Sequence, residues 1–389
     1  MKVPVLEQLI INYRYNNKVK LSATQPNLRH GLGLVSRVVG NAATLPVLAH
    51  VLLETDRGRL RLSATDLELG IITYVGAKVE TDGAITVPAR TFTDFINSNT
   101  DERLNISTNQ NSLTVISDSY KADIPGIAAT EYPTIPTIEK GISFVVNRDE
   151  LIRALKAVVV ACALDEARPA LAGVLWRGGD KMLQLAATDS FRLAEYIIAL
   201  PMTPEGLNII VPARAINEFI RVISAENFDQ VQVVINNNQI QLTVGDTTII
   251  SRLIEASFPE YAKIIPQTFV TDLVVNATEM SNALKVATVF SSAQANNVQL
   301  TIDNQTVRLQ SVASQYGQEV SALNAEVMHH TEEKKLDITF NARYLNDVMT
   351  VAGPGKVIIK CSGATKPAVV VNPDLPNYQH IVMPIRVGA

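Results

Sequence analysis

The sequence predicts an α+β fold of three similar domains, and three observations carry that prediction. The chain has 389 residues, more than twice the usual size of one domain. Landmark motifs recur at a period close to a third of that length. Amphipathic helix patterns alternate with short β-rich runs throughout.

The repeat is weak in identity but consistent in spacing. Ala64-Thr65-Asp66 lies in LRLSATDLE, and Ala187-Thr188-Asp189 lies in LQLAATDSF, 123 residues further on. VRLQSVAS places Val312 at the third such position, without the Thr-Asp pair. Arg90, Arg214 and Arg343 occupy matching places in ITVPARTFTDF, IIVPARAINEF and ITFNARYLNDV, each four residues before Asp94, Glu218 or Asp347. Leu28, Leu151 and Met280 mark three matching helix starts. Counted from near Lys20, the chain divides into three segments of about 123 residues, the same as the motif offset. Pro-bearing stretches at Pro136–Gly141 and Pro266–Thr271 read as the joints. The expected units are 18–138, 139–267 and 268–389, with residues 1–17 as an N-terminal extension.

Within a repeat the elements follow from local chemistry. ISFVV (142–146) reads as a strand leading into a helix. Asn147 with Glu150, and Asn276 with Glu279, form capping-box-like pairs. Leu151, Ile152, Leu155, Val158, Val159 and Cys162 make one apolar stripe at helical spacing. ALAGVLWRG, LQLAATD and FRLAEYII read as strands, and Pro212 is placed in the first turn of a second helix. QVQVVINNNQIQLTV is a hairpin around Asn236-Asn237-Asn238. Each repeat is expected to run strand, helix, three strands, helix, four strands. Six helices are predicted, over 24–41, 88–99, 147–163, 212–223, 277–292 and 341–352.

Composition is that of a globular protein, with 47% hydrophobic and 19% charged residues. Net charge is -4, so bulk charge does not suggest a basic nucleic-acid binder. The distribution of charge is more informative: the predicted helices total +4 and everything else -8. Arg29 and Arg37 lie off the apolar stripe of the first helix, and Arg153 and Lys156 occupy the outer face of the third. Asp149 and Glu150 sit in that helix's first turn, where the dipole favours acids. The plainer reading is ordinary solvated helices, with the three Arg–acid pairs as i,i+4 salt bridges.

No catalytic constellation is present. Cys162 and Cys361 sit in apolar segments without a neighbouring Cys or His, so neither a metal site nor a disulfide is expected, and a reduced cytoplasmic location is. The N-terminus is too broken by Glu7, Gln8 and Asn12 for a signal peptide, and no apolar run suits a membrane helix. His30, His50, His329, His330 and His380 have no partner at metal-ligand or triad spacing, and His329-His330 reads as part of a solvated loop. Asp66 and Asp189 read as residues that close turns rather than as paired catalytic carboxylates. Trp176 reads as core. No cofactor or metal is expected.

The repeats, the paired VPAR helices, TLPVL (44–48), ATD (187–189), FPEY (258–261) and VMPIR (382–386) together resemble the beta subunit family of bacterial DNA polymerase III, the sliding clamps. The resemblance implies three domains of the DNA-clamp fold, two helices on mostly antiparallel sheet in each, and a head-to-tail homodimeric ring around duplex DNA. It implies a non-enzymatic processivity factor that tethers the replicative polymerase. A pocket would dock linear motifs of the polymerase, the clamp loader and repair proteins. By motif position its lining would be Leu171, Thr188, Ser190, Phe191, Arg192, Leu193, Pro259, Lys263, Ile264, Val382, Met383, Pro384, Ile385 and Arg386. Ser190-Phe191 stands where the family often has Gly-His, and Lys263 where Arg is common. Bases facing DNA would be Arg29, Arg37, Arg153, Lys156, Arg168, Arg214 and Arg221, and the dimer seam would use Ile124, Val289 and Phe290. The alternative is a repeat-built peptide-binding scaffold that never encircles DNA.

Overall fold

The computed structural model describes residues 18–386, except 41–44, 110, 166, 203–205, 292–295, 304–305 and 312–316. The expected extension over 1–17, the Asn41-Ala42-Ala43 loop, Val312 and the tail 387–389 lie outside the described residues.

Among the described residues six α-helices form where the periodicity places them. They are α1 (Gln25–Val35), α2 (Ala89–Ser98), α3 (Arg148–Val159), α4 (Ala213–Ala225), α5 (Ala277–Ser291) and α6 (Ala342–Ala352). Side-chain oxygens satisfy the first free N–H groups. Thr24 Oγ1 accepts from Asn27 at α1. Asn276 Oδ1 accepts from Thr278 and Glu279 at α5, and Asn341 Oδ1 from Arg343 and Tyr344 at α6.

Helices α1 and α3 are shorter than predicted. Past Val35 the chain turns, with Val38 N–H bonding Val35 O and Gly40 N–H bonding Leu48 O. Val38 is therefore buried by a turn rather than by a helical stripe. Past Val159, single turns carry Ala161 and Cys162 into the interior in the same way. Pro88 caps α2 from outside and Pro212 ends the strand before α4, so proline precedes these helices instead of opening them.

The strand count also differs. Among the described residues five, four and five strands stand between the two helices of successive repeats, and three follow the second helix each time. The reading of three and four missed the VPAR strand, because its proline was assigned to the helix.

Contacts divide the chain into two compact units, residues 1–148 with 221–252, and residues 149–220 with 253–389. The second repeat is thus shared between the units. In the first unit, strands Ile142–Asn147, Gln230–Ile235, Gln239–Val244 and Thr247–Arg252 continue into Leu69–Val75, Arg59–Thr65, His50–Asp56 and Ala84–Pro88 as one eight-stranded sheet. A five-stranded sheet ends at Lys121–Pro125. In the second unit a nine-stranded sheet runs from Asn208–Pro212 through Gly173–Gly179, Met182–Thr188 and Arg192–Ala199 to Tyr378–Val382 and on to Glu326–His329. A four-stranded sheet ends at Val320–Asn324.

The joint between consecutive repeats is the same twice. Thr247–Arg252 pairs antiparallel with Leu69–Val75, and Tyr378–Val382 pairs antiparallel with Arg192–Ala199. In each case the third strand after a second helix meets the third strand after a first helix.

The strands of the second joint are covered on both faces, which explains their unbroken apolar runs. Ala368, Val370 and Val382 enter the core of the third repeat. Val369, Ile381 and Leu193 turn to the opposite face and pack with Leu175, Ala186 and Tyr261. Trp176 is fully buried, as predicted. Cys162 and Cys361 are free and buried, and burial pushes both thiols up to about 12. His330 lies in an exposed bend, as the loop reading expects, but His329 does not. His329 ends a strand and bonds the Thr271 hydroxyl at 3.0 Å, while His330 approaches Asp272 at 3.4 Å.

His380 gives the fold a pH dependence. It is wholly buried beside the Tyr378 hydroxyl, and burial, followed by the nearby Arg192 charge, pushes its imidazole down to about 3 from 6.5. The unfolded chain takes up this proton near pH 6.5 and the folded chain does not. This contribution to stability is therefore complete above pH 6.5 and is lost as pH falls towards 3. Between pH 7 and pH 5 the expected loss is about 2 kcal/mol. Urea unfolding of wild type and His380→Gln at both pH values checks it, and parallel pH profiles for the two proteins would refute it.

Candidate functional site

The second Thr-Asp motif builds a tight turn whose geometry repeats that of the first. Thr188 Oγ1 donates to Arg192 O at 2.6 Å, and Ser190 N–H donates back to Thr188 Oγ1 at 3.1 Å. Asp189 Oδ1 accepts from the N–H groups of Phe191 and Arg192 at 2.8 and 3.0 Å. In the first repeat Thr65 Oγ1 donates to Leu69 O, Leu67 N–H donates to Thr65 Oγ1, and Asp66 Oδ1 accepts from Glu68 and Leu69. Leu67 and Ser190 share a φ of 81°. Both aspartates therefore close turns, as their sequence position predicts.

What differs is the side chains that the turn presents. Phe191 is 58% exposed. Arg192 folds back so that its guanidinium reaches Asp189 Oδ2 at 3.0 Å and Asp347 Oδ2 at 2.5 Å, and it stacks 4.3 Å from the centroid of the Tyr344 ring. One planar cation thus holds the turn to α6. The C-terminal segment closes against the same turn: Met383 N–H donates to Phe191 O at 2.8 Å, and Ile385 N–H to Thr339 O at 2.7 Å.

The FPEY segment is fixed from beneath. Tyr261 Oη donates to Glu195 Oε2 at 2.6 Å, and the other donors to this buried carboxylate are Gln184 and Gln379, at 2.6 and 2.7 Å. Burial first, and Glu195 second, raise the Tyr261 pKa, so the phenol stays protonated and donating. Pro259, Lys263 and Ile264 remain exposed around this anchor.

Phe191 and Ile264 are exposed apolar side chains, Met383, Pro384 and Ile385 are partly buried, and Lys263 and Arg386 are exposed. Leu171 and Thr188 are buried. Leu193 and Val382, expected in the lining, are buried in the two hydrophobic clusters.

Two of the seven bases expected to face DNA hydrogen-bond within the chain. Arg221 donates to the carbonyls of Gly33 and Leu34 at 2.9 and 2.6 Å, neutralising the C-terminal end of α1. Arg168 donates to Ser190 Oγ at 2.8 Å, which places it at the Thr188–Arg192 turn. Arg29, Arg37, Arg153, Lys156 and Arg214 are exposed. Of the seam residues, Ile124 is 4% exposed and faces its own core, Val289 is 69% exposed, and Phe290 is half-buried.

The expected i,i+4 pair forms at Arg90–Asp94, exposed and 3.8 Å apart. In the third repeat it is overturned, because Asp347 pairs with Arg192 instead of Arg343. Sequence reasoning also missed Tyr344. Its only signal was adjacency to Arg343, since the contact joins residues about 150 positions apart in sequence.

Three family models cover almost the whole chain: the N-terminal domain of the DNA polymerase III beta subunit at residues 19–136, its central domain at 145–260, and its C-terminal domain at 262–386. The chain is 32% identical to the beta sliding clamp of Synechococcus elongatus, covering 95% of this chain and 99% of that one. It is 29% identical to the clamp of Synechocystis, with the same coverage. The beta subunit structure from Thermotoga maritima matches with a TM-score of 0.88 at 27% identity, over 95% of this chain and 100% of that one. The Bartonella birtlesii clamp, solved bound to griselimycin, matches at 0.89 and 26% over the same shares. Tandem repeats, the twice-used joint and these matches agree, and the chain belongs to the DNA polymerase III beta subunit family, the beta sliding clamps.

Proposed function

We propose that this sliding clamp closes as a two-copy ring around duplex DNA and docks the replicative polymerase, clamp loader and other partners at the surface around Phe191 and Arg192. One observation carries the ring. Within the chain, the third strand after a second helix always pairs with the third strand after a first helix. Two strands of those classes are left at sheet edges, Lys121–Pro125 and Val320–Asn324. Each edge exposes unpaired backbone groups, which sheets satisfy by adding a strand. A second copy supplies the complement of both, head to tail, so that all joints of the ring are alike. The seam assigned to Ile124 then rests on the backbone of its strand rather than on its side chain, and Val320–Asn324 is the partner strand. The repeat units remain those expected, 18–138, 139–267 and 268–389.

The exposed bases Arg29, Arg37, Arg153, Lys156 and Arg214 supply weak, interchangeable phosphate contacts, which hold the duplex without reading its sequence. Processivity then comes from topology and requires no catalysis. The ring is expected to persist on nicked circular DNA and to run off the same DNA once linearised. Gel-filtration recovery of loaded DNA checks this. Equal loss from both forms, or a chain that stays monomeric by light scattering, would leave only a docking scaffold.

A further inference from the structure

In the first compact unit, a cleft of about 320 Å³ is lined by one face of the eight-stranded sheet and by residues of the segment 129–137. The sheet supplies two cross-strand pairs, Leu52 opposite Ser63 and Glu54 opposite Arg61. The segment is held at three points. The Tyr132 hydroxyl accepts from Thr65 N–H at 3.1 Å and donates to His50 O at 3.3 Å. Ile135 lies so close to Gly70 that a Cβ there would stand 2.8 Å from its Cγ2. Ile138 N–H donates to Gln241 Oε1 at 2.8 Å. The cleft is therefore preformed, and its size is at the small end of those that hold small molecules.

Its polar groups are incompletely used. Ser63 is 1% exposed, and its hydroxyl has no hydrogen-bond partner among the described residues. Arg61 donates to Glu54 at 2.6 Å, and this is its one hydrogen bond among the described residues. A guanidinium has five N–H groups, so most of them are left over. One repeat later the same places hold Ala186 and Gln184. Ala186 packs in a hydrophobic cluster and Gln184 bonds Glu195, so the second repeat carries neither the hydroxyl nor the guanidinium there. The Arg61–Glu54 pair is neutral as a whole and does not call for an ion. A second carboxylate is repelled by Glu54, and an ammonium by Arg61. A primary carboxamide accepts from a guanidinium and donates to a carboxylate from one plane, with capacity left for a hydroxyl. Leu52, Ala84, Pro133 and Ile135 give the methylenes that carry it an apolar wall.

We propose that this cleft binds a primary carboxamide, the side chain of glutamine, held by Arg61, Glu54 and Ser63. The inference requires neither the ring nor the docking of partners. The test titrates the full chain by saturation-transfer NMR with glutamine capped as its N-acetyl N-methylamide. Glutamate and norleucine capped in the same way, and free L-glutamine, are the comparison ligands. Capped glutamine is expected to bind with a Kd of about 1 mM, at least about fivefold tighter than capped glutamate or norleucine. Ser63→Ala and Arg61→Gln each install the residue that stands one repeat later, and each should weaken capped glutamine about fivefold. Ser63→Ala should melt no lower than wild type, because it removes a buried hydroxyl without a partner, and this separates binding from folding.

Free glutamine that binds as tightly as the capped form supports the proposal and assigns the site to the amino acid itself. Binding of the capped form alone supports it and assigns the site to a glutamine within a polypeptide. Equal affinities for the three capped ligands, or capped glutamine binding that neither substitution weakens, would overturn the inference. So would the absence of saturation transfer up to about 20 mM, which would leave the cleft to water.

Discussion

Arg192→Ala is expected to lower stability by about 3 kcal/mol and to weaken partner docking at least tenfold, because it removes the cation while leaving its carboxylates in place. Asp189 is largely buried and also closes the turn through its other oxygen. Without Arg192 its charge has no counter-ion, and Tyr344 and Asp347 lose the group that draws α6 towards the turn. Phe191, whose carbonyl holds the tail at Met383, shifts with it. Arg192→Lys should recover about half of the loss, since one ammonium cannot bridge two carboxylates and stack on a ring at once. Asp347→Asn should cost less than about 1 kcal/mol, because the Asp189 pair persists and Asp347 is more exposed. Urea unfolding and peptide titration of the three variants measure this. Wild-type stability in Arg192→Ala would show that the network does not hold the site.

Reversing Arg153, Lys156 and Arg214 together to Glu is expected to reduce loading onto circular DNA about tenfold at low salt, with a gap that narrows as salt rises. All three are exposed, so the substitutions disturb little packing. Each exchanges a phosphate contact for a repulsion, and the change acts in both copies of the ring. Arg221→Glu offers a contrast. It removes two hydrogen bonds to the end of α1, so its effect should be on thermal stability rather than on the salt dependence of loading. Measuring loaded clamp per circle across a salt series separates the two. If the triple variant loads like wild type at every salt concentration, these residues do not face the duplex.

The places where the sequence misled share a physical cause. Cys162 continues an apolar stripe by spacing, but the interior that buries it is reached through a turn. Arg343 and Asp347 have ideal helical spacing, yet an exposed i,i+4 pair is worth only a few tenths of a kcal/mol. A planar guanidinium from the second repeat offers Asp347 more, and wins it. Arg221 has the composition of a DNA contact and serves as a helix cap. In each case a weak local preference gave way to a partner supplied from far along the chain.

The sequence alone determined the three repeats, the six helices found among the described residues, and the turn-closing role of both Thr-Asp motifs. These rest on short-range patterns that any stretch of chain carries within itself. Only the tertiary structure decided that the second repeat is divided between two compact units, that one arginine joins the Thr188–Arg192 turn to α6, and that Lys121–Pro125 and Val320–Asn324 end their sheets without the partner strand that their counterparts have. Strand pairing and ion pairing across more than a hundred residues follow from which surfaces meet, and no local spacing records that.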